Sequence, residues 1–171
     1  MMKKIFSIAI GMALLGACSH KPEPLTYDQL ADSILNLEEA LHSRDVNADT
    51  TKANLIVDLY TQFATQYPED SLAPIYLMRA AEIDINMGNF EPAVSLLDSV
   101  ILLYPGFEDV AGCQFMKGWA YELNQQYDLA REAYTEFVTN YPDHFLAADT
   151  RKMLPYVGMT PEEQLAAATA R

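Results

Sequence analysis

The chain has 171 residues, of which 50% are hydrophobic and 20% are charged, as in folded domains rather than disordered or fibrous chains. Its 11 lysine and arginine residues stand against 24 aspartate and glutamate residues, so the formal net charge is −13. This acidity excludes DNA, RNA and anionic lipid headgroups as favoured partners, and it is typical of a well-solvated protein surface.

The beginning of the chain has the pattern of an export signal. Lys3 and Lys4 precede an uncharged run over residues 5–17, which is too short to cross a bilayer as a helix. A basic start, a short apolar stretch and small residues at its end are typical of a signal peptide. We therefore predict a signal peptide over residues 1–17 and leave it out of the fold.

The end of that segment, Leu15-Gly16-Ala17-Cys18, resembles the lipobox of bacterial lipoproteins. The resemblance implies that Cys18 is lipidated and becomes the first residue of the mature protein, so that its acyl chains hold the protein on a membrane. Ser19 follows the cysteine in place of an aspartate, which implies the outer membrane, and we expect its periplasmic face. Residues 18–25 are then the lipidated cysteine and a short tether. The alternative is an ordinary cleaved signal beside an unmodified cysteine.

Residues 26–171 are predicted to form a helical domain, since no segment alternates apolar and polar residues as a strand does. The first helix opens at Thr26 with Gln29 in capping-box spacing, and its apolar face is formed by Leu30, Ile34, Leu37 and Leu41. The second helix follows a polar segment, and its apolar face is formed by Leu55, Ile56, Leu59, Tyr60, Phe63 and Tyr67. The later helices are predicted over about 71–87, 92–104, 108–124, 128–141, 145–154 and 161–170.

A dipeptide repeats at constant spacing along these helices. Tyr-Pro occurs at 67–68, 104–105 and 141–142, so the step is 37 residues each time. Proline ends a helix because it lacks the backbone N–H and forces its predecessor out of the helical region. A stop that recurs every 20–50 residues indicates a stacked array of repeats. We predict core repeats over about 51–154 and a capping helix over about 161–170.

Small and aromatic residues within each period resemble the tetratricopeptide repeat. One repeat places Gly118, Tyr121, Ala130, Tyr134 and Pro142 at the characteristic positions. The preceding repeat fits less well, and the residues at its corresponding positions are Ala81, Asp84 in place of the aromatic, Ala93, Leu97 and Pro105. The period exceeds the family's unit of about 34 residues, with the extra length after each Tyr-Pro. The resemblance implies an all-α fold of helical hairpins stacked as a short right-handed α-solenoid.

The resemblance also implies a partner groove lined by the first helix of each pair. The family's groove positions fall on Ile75, Met78 and Glu82 in one repeat and on Phe115, Trp119 and Glu122 in the next. Trp119 is the only tryptophan, and a rigid aromatic of this kind often dominates binding energy. The alternative is that Trp119 packs against the first or last helix. These positions lack the basic and amide residues with which some relatives clamp a peptide carboxylate.

No arrangement of residues predicts catalysis or metal binding. His20, His42 and His144 do not converge in the sequence, and no nucleophile elbow, phosphate loop or zinc-binding helix motif is present. Residues 45–49 are acidic but lack the glycine and the distal glutamate of a calcium loop. Cys113 is expected to be a small buried hydrophobe on a helix. We therefore expect no enzyme activity, no cofactor and no metal ion.

The sequence leads to two functional hypotheses. The first is a non-catalytic, lipid-anchored adaptor that presents an apolar, acid-edged groove to another protein of the bacterial envelope. The second is a structural subunit of an outer-membrane assembly machine. The lengthened junctions are similar to those of the β-barrel assembly lipoproteins and of the periplasmic coordinators associated with cell division, although both are longer chains. An enzyme is the least favoured class, since no nucleophile and base are paired.

Overall fold

The computed structural model describes residues 24–42 and 50–169. The predicted signal peptide, Cys18, His20, most of the tether and the acidic segment 45–49 lie outside the described residues. The described residues form helices and contain no strand, which confirms the all-α class. The helices are α1 (Tyr27–His42), α2 (Thr50–Gln66), α3 (Leu72–Met87), α4 (Phe90–Leu103), α5 (Val110–Leu123), α6 (Tyr127–Asn140), α7 (Ala147–Met153), followed by a 3-10 turn (Leu154–Tyr156), and α8 (Pro161–Thr169).

The helices stack in the order in which they occur in the chain. Each of α1 to α6 packs extensively on the next helix, and α7 leads into the 3-10 turn, which also contacts α6. This arrangement is a solenoid of antiparallel hairpins, α1/α2, α3/α4 and α5/α6, as predicted. Among the described helices none is both long enough and apolar enough to cross a bilayer.

The three Tyr-Pro junctions share one pattern of backbone hydrogen bonds. First, the backbone N–H of the tyrosine donates a hydrogen bond to the carbonyl of the residue four positions earlier. Second, the carbonyl of the tyrosine accepts a hydrogen bond from the N–H of the residue three positions later. Third, the carbonyl of that later residue accepts a hydrogen bond from the N–H of the residue another three positions along the chain. The three sets are Phe63, Tyr67, Asp70 and Ala73; Val100, Tyr104, Phe107 and Val110; and Phe137, Tyr141, His144 and Ala147. Every member is 37 residues from its counterpart, so the predicted period holds for individual hydrogen bonds. The two successive turns form the lengthened junction.

The turns inside the hairpins follow the same period. Gly88 ends α3 with φ of 83°, and its N–H donates to the carbonyl of Ile85 at 3.0 Å. Gln125 lies 37 residues later, has φ of 58°, and donates to the carbonyl of Glu122 at the same distance. Glycine adopts this left-handed conformation without steric cost, whereas glutamine adopts it only at a steric cost, because its Cβ atom crowds the backbone.

Small residues allow the helices to approach one another, as the sequence predicts. Ala81, Ala93 and Ala130 are fully buried. Gly118 is also buried, and a Cβ atom at this position would lie 2.6 Å from Cδ1 of the Tyr134 ring. The absence of that atom is what lets α5 pack on α6 at this point.

Several details differ from the predicted helix pattern. The capping box is confirmed, since the Thr26 N–H donates to Oε1 of Gln29 at 2.9 Å. Leu41 and Leu55, which lie on the predicted apolar faces of α1 and α2, are 38% and 50% exposed. The predicted helix over 145–154 is shorter, because the chain enters a 3-10 turn at Leu154.

Candidate protein-binding surface

The three predicted groove residues of α3 occupy different environments. Ile75 is half-buried and Glu82 is exposed, and they lie seven residues apart on one face of the helix. Met78 instead packs against the core cluster that α2, α3, α4 and α5 share. The solvent face of α3 therefore keeps Ile75 and Glu82, while Met78 contributes to helix packing.

Arg79 is a further residue of this face that the sequence analysis did not select. Its Nη1 lies 2.8 Å from Oε1 of Glu38, and that same oxygen accepts a hydrogen bond of 2.5 Å from the hydroxyl of Tyr60. Burial and the hydrogen bond to Glu38 raise the pKa of Tyr60, so its hydroxyl remains a donor. The network joins α1, α2 and α3 and holds the Arg79 guanidinium beside the α3 face. Its position four residues after Ile75 is the sequence signal that could have identified it.

The Glu82 carboxyl interacts electrostatically with one basic and one acidic side chain. Partial burial raises the pKa of Glu82, Arg79 opposes this rise, and Asp109 adds to it. Burial raises the pKa of Cys113 to about 12, with Asp109 and Glu82 contributing. These electrostatic interactions place Glu82 close to the beginning of α5.

Two of the predicted α5 residues make specific contacts within the fold. The Phe115 ring is half-buried, with its centroid 5.4 Å from that of Tyr134 and 5.5 Å from that of Phe137. Oε2 of Glu122 accepts a hydrogen bond of 2.8 Å from the hydroxyl of Tyr134. Burial and this carboxylate raise the pKa of Tyr134, so the phenol stays protonated. Phe115 and Glu122 thus stabilise the α5/α6 hairpin.

Trp119 is the predicted α5 residue that reaches solvent. Its side chain is 39% exposed, and within the described residues it belongs to no buried core cluster and stacks on no other ring. Lys117 pairs with Asp98 of α4 at 2.7 Å, and Trp119 lies about 200° further round α5 from Lys117. It is also about 9 Å along the helix from Cys113, near which Glu82 lies. The structure therefore places Glu82 and Trp119 at different heights on the stacked helices.

The described residues contain no group of acidic, histidine or cysteine side chains that could hold a metal ion. Cys113 is fully buried, as predicted, and its raised pKa keeps the thiol protonated. Nδ1 of His144 accepts a hydrogen bond of 3.3 Å from the backbone N–H of Leu146, and its ring contacts Phe137. The described histidine side chain and the buried cysteine thus have structural roles.

Comparison with known proteins identifies the repeat unit. The family model of the tetratricopeptide repeat matches residues 76–106 and 113–144. The first match runs from α3 through α4 to the second Tyr-Pro junction, and the second runs from α5 through α6 to the third junction. No curated protein matches the chain. The chain therefore carries two tetratricopeptide repeats in a solenoid of stacked helical hairpins.

Proposed function

We propose that this chain, which carries two tetratricopeptide repeats, is a non-catalytic scaffold that binds another protein of the bacterial envelope. Tetratricopeptide repeats mediate protein–protein interaction, and the repeats fill most of α3 to α6. A scaffold agrees with the roles of Cys113, Glu122 and His144, whose side chains are all used in packing or hydrogen bonds within the fold.

The exposure of Trp119 is the observation that carries this proposal. A tryptophan that is 39% exposed presents part of a large apolar ring to solvent, and such residues frequently dominate binding when a partner covers them. We propose that Trp119 contacts the partner directly, with Ile75, Glu82 and Arg79 along the neighbouring helix. The paired Arg79 and Glu38 give that part of the surface fixed rather than mobile charges.

We further propose that the protein is attached to the outer membrane through lipid on Cys18 and faces the periplasm. The lipobox-like segment ending at Cys18 and the serine after it support this proposal. The test is fatty-acid labelling of the full-length chain and of Cys18→Ser, with mass spectrometry of the N-terminal peptide. We expect label and membrane association only with Cys18, and an unlabelled, correctly cleaved protein would contradict lipidation.

Site-specific crosslinking in cells tests the role of Trp119. We expect Trp119→Ala to reduce partner capture by roughly thirtyfold, since truncation of a central aromatic costs about 2 kcal/mol or more. Phe145→Ala is the matched control, because it removes an aromatic side chain that is 80% exposed on the third junction. It should leave capture unchanged.

Unfolding in urea must accompany the crosslinking. Phe145→Ala should keep the wild-type midpoint, because that side chain is 80% exposed, whereas Trp119→Ala should lower the midpoint slightly, because the indole is 39% exposed and buries the rest of its surface. A loss of several kcal/mol on Trp119→Ala, of the size seen for buried aromatics, would show that the ring is part of the core. Capture of a β-barrel assembly component would favour the second hypothesis, a structural subunit of an outer-membrane assembly machine.

A further inference from the structure

A cavity lies between the first and second Tyr-Pro junctions, at one end of the stacked helices rather than on their faces. Its volume is about 480 Å³. We call it the junction pocket. Its lining is Pro68, Glu69, Asp70, Ser71, Pro74, Leu103, Tyr104, Pro105, Gly106, Phe107 and Glu108.

The larger part of the wall of the junction pocket is apolar, and its aromatic residues are held in place by the fold. Tyr104 and Phe107 are half-buried and pack against the core cluster that α2, α3, α4 and α5 share, which we call the main core cluster. A backbone hydrogen bond of 2.9 Å joins the two residues. Pro68 and Pro105 have fixed φ angles, which reduces the freedom of both junctions. Leu103 is 64% exposed and contributes an open apolar edge. A preformed apolar concavity with a few polar groups at its margin is the usual form of a binding site.

The margin of the pocket carries only negative charge. Glu69, Asp70 and Glu108 lie in the lining, and no lysine, arginine or histidine does. Asp70 has a structural role, because its Oδ1 accepts a hydrogen bond of 2.8 Å from the N–H of Leu72 at the start of α3. Glu69 and Glu108 form no ion pair with any residue in the ranges 24–42 and 50–169. Two carboxylates thus flank the cavity, and no cation of the described residues pairs with them.

We propose that the junction pocket binds a cationic segment of a partner protein, one that carries lysine or arginine beside an apolar side chain. The apolar part would cover Leu103 and the tyrosine and proline walls, and the cationic group would lie between Glu69 and Glu108. Lysine and arginine suit this arrangement because their aliphatic stems pack on apolar surface while the charge stays at the rim. Glu69 and Glu108 are exposed, so their attraction for the cation depends on the salt concentration.

The junction pocket is separate from the surface around Trp119. Trp119 lies about 14 Å along α5 from Val110, where that helix leaves the second junction. The proposal extends the protein-binding role and does not depend on Trp119. A partner could contact both sites, which would increase its apparent affinity through linkage.

Two leucines in the last turn of α4 provide a matched test. Leu103 lines the junction pocket, whereas Leu102, which is 78% exposed, does not line it and borders a depression on α4 that Leu103 also borders. The probe is a short fluorescent peptide that alternates lysine with phenylalanine, and binding is followed by anisotropy on the folded protein. We expect Leu103→Lys to weaken binding at least tenfold, because it places a like charge in the cavity, and Leu102→Lys to have little effect. Equal effects of the two variants would overturn the proposal.

The charge of the rim is tested separately. Glu69→Gln combined with Glu108→Gln should weaken binding of the lysine probe and reduce its salt dependence. Asp32→Asn combined with Glu39→Gln removes the same charge from the exposed side of α1 and serves as the control. The control should retain most of the binding. Equal loss in both double variants would show attraction to the overall charge and would overturn a defined site.

Two further outcomes decide the occupant. Equal binding of a probe with glutamine in place of lysine would refute cation recognition. Concentration-dependent dimerisation that Leu103→Lys abolishes would show that a second copy of the chain fills the pocket and would likewise refute it. Trp119→Ala should leave probe binding unchanged, so a failure of the junction pocket and a failure of the proposed Trp119 surface are distinguishable.

Discussion

Replacing Gly118 with alanine tests whether the missing side chain at this position closes the α5/α6 hairpin. A Cβ atom would lie 2.6 Å from Cδ1 and 2.7 Å from Cε1 of Tyr134. Tyr134 is 1% exposed, and its hydroxyl donates to Glu122 at 2.8 Å. The ring therefore cannot move away unless it gives up that hydrogen bond or the two helices separate.

The expected cost follows from two opposing terms. Overpacking a buried site costs about 1–3 kcal/mol, and the upper half of that range applies because two ring atoms would be much closer than a relaxed contact allows. Alanine has a helix propensity about 1 kcal/mol more favourable than that of glycine. Gly118→Ala should therefore lower the free energy of unfolding by about 1–2 kcal/mol. A urea titration measures this as a lower midpoint with an unchanged slope.

Gly112 provides the control because it lies on the same helix. The nearest atoms to a Cβ at residue 112 belong to the side chain of Asp109, which is exposed and free to rotate. Gly112→Ala should therefore be neutral or stabilising by up to about 1 kcal/mol. If Gly118→Ala stabilised the protein as much as Gly112→Ala, the close approach to Tyr134 would not limit the packing of the hairpin.

A double variant tests the pairing directly. Ala81 and Leu97 lie 37 residues before Gly118 and Tyr134, and both belong to the main core cluster. Combining Gly118→Ala with Tyr134→Leu recreates that combination of side chains in the second repeat. The alanine should cost less beside leucine than beside tyrosine, with a coupling energy of about 0.5–3 kcal/mol. An additive result would contradict a direct contact between the two positions.

Three further outcomes are expected. Gln125→Gly should raise the free energy of unfolding by about 0.5–1 kcal/mol in urea, because Gln125 has the left-handed conformation that Gly88 adopts in the preceding hairpin. Burial raises the pKa of Asp84 despite its hydrogen bond from Asn89, so the folded state binds this proton more tightly than the unfolded state. The stability that protonated Asp84 contributes is therefore lost as the pH rises from its ordinary pKa through its raised folded pKa, and Asp84→Asn should reduce the fall of the urea midpoint over that range. Burial and a pKa of about 12 should keep Cys113 from reacting with a thiol reagent until the protein unfolds, as detected by mass spectrometry.

The fold was predictable because its determinants are local and repeated. A tyrosine followed by proline specifies where a helix ends, and the constant step of 37 residues indicates that the ends recur in register. Small residues such as Ala93 and Ala130 then mark where helices approach. Each of these signals can be recognised without knowing the distant contacts of the chain. The helix ends were less predictable, as at Leu154, where the chain continues as a 3-10 turn.

The candidate surface was less predictable because its contacts join residues that are distant in the sequence. The groove positions of the tetratricopeptide repeat specify which face of a helix a residue lies on. They do not specify which side chains of other helices pack against that face. Phe115 illustrates this, since its ring packs against Tyr134 and Phe137 of α6. Arg79 illustrates the converse, because its partner Glu38 lies 41 residues earlier in α1, outside both matched repeats.

The junctions show how a repeated backbone supports functions that are not repeated. Asp70, Phe107 and His144 occupy equivalent positions with equivalent backbone hydrogen bonds, yet Phe107 packs on the core while the other two accept hydrogen bonds from the start of the next helix. One position further on, Glu108 carries charge at the junction pocket and Phe145 is 80% exposed. The same backbone turn thus accommodates an aspartate, a phenylalanine or a histidine, each with its own contacts to the rest of the fold. The period therefore identifies the scaffold, and the residues that depart from it are the ones to test for partner recognition.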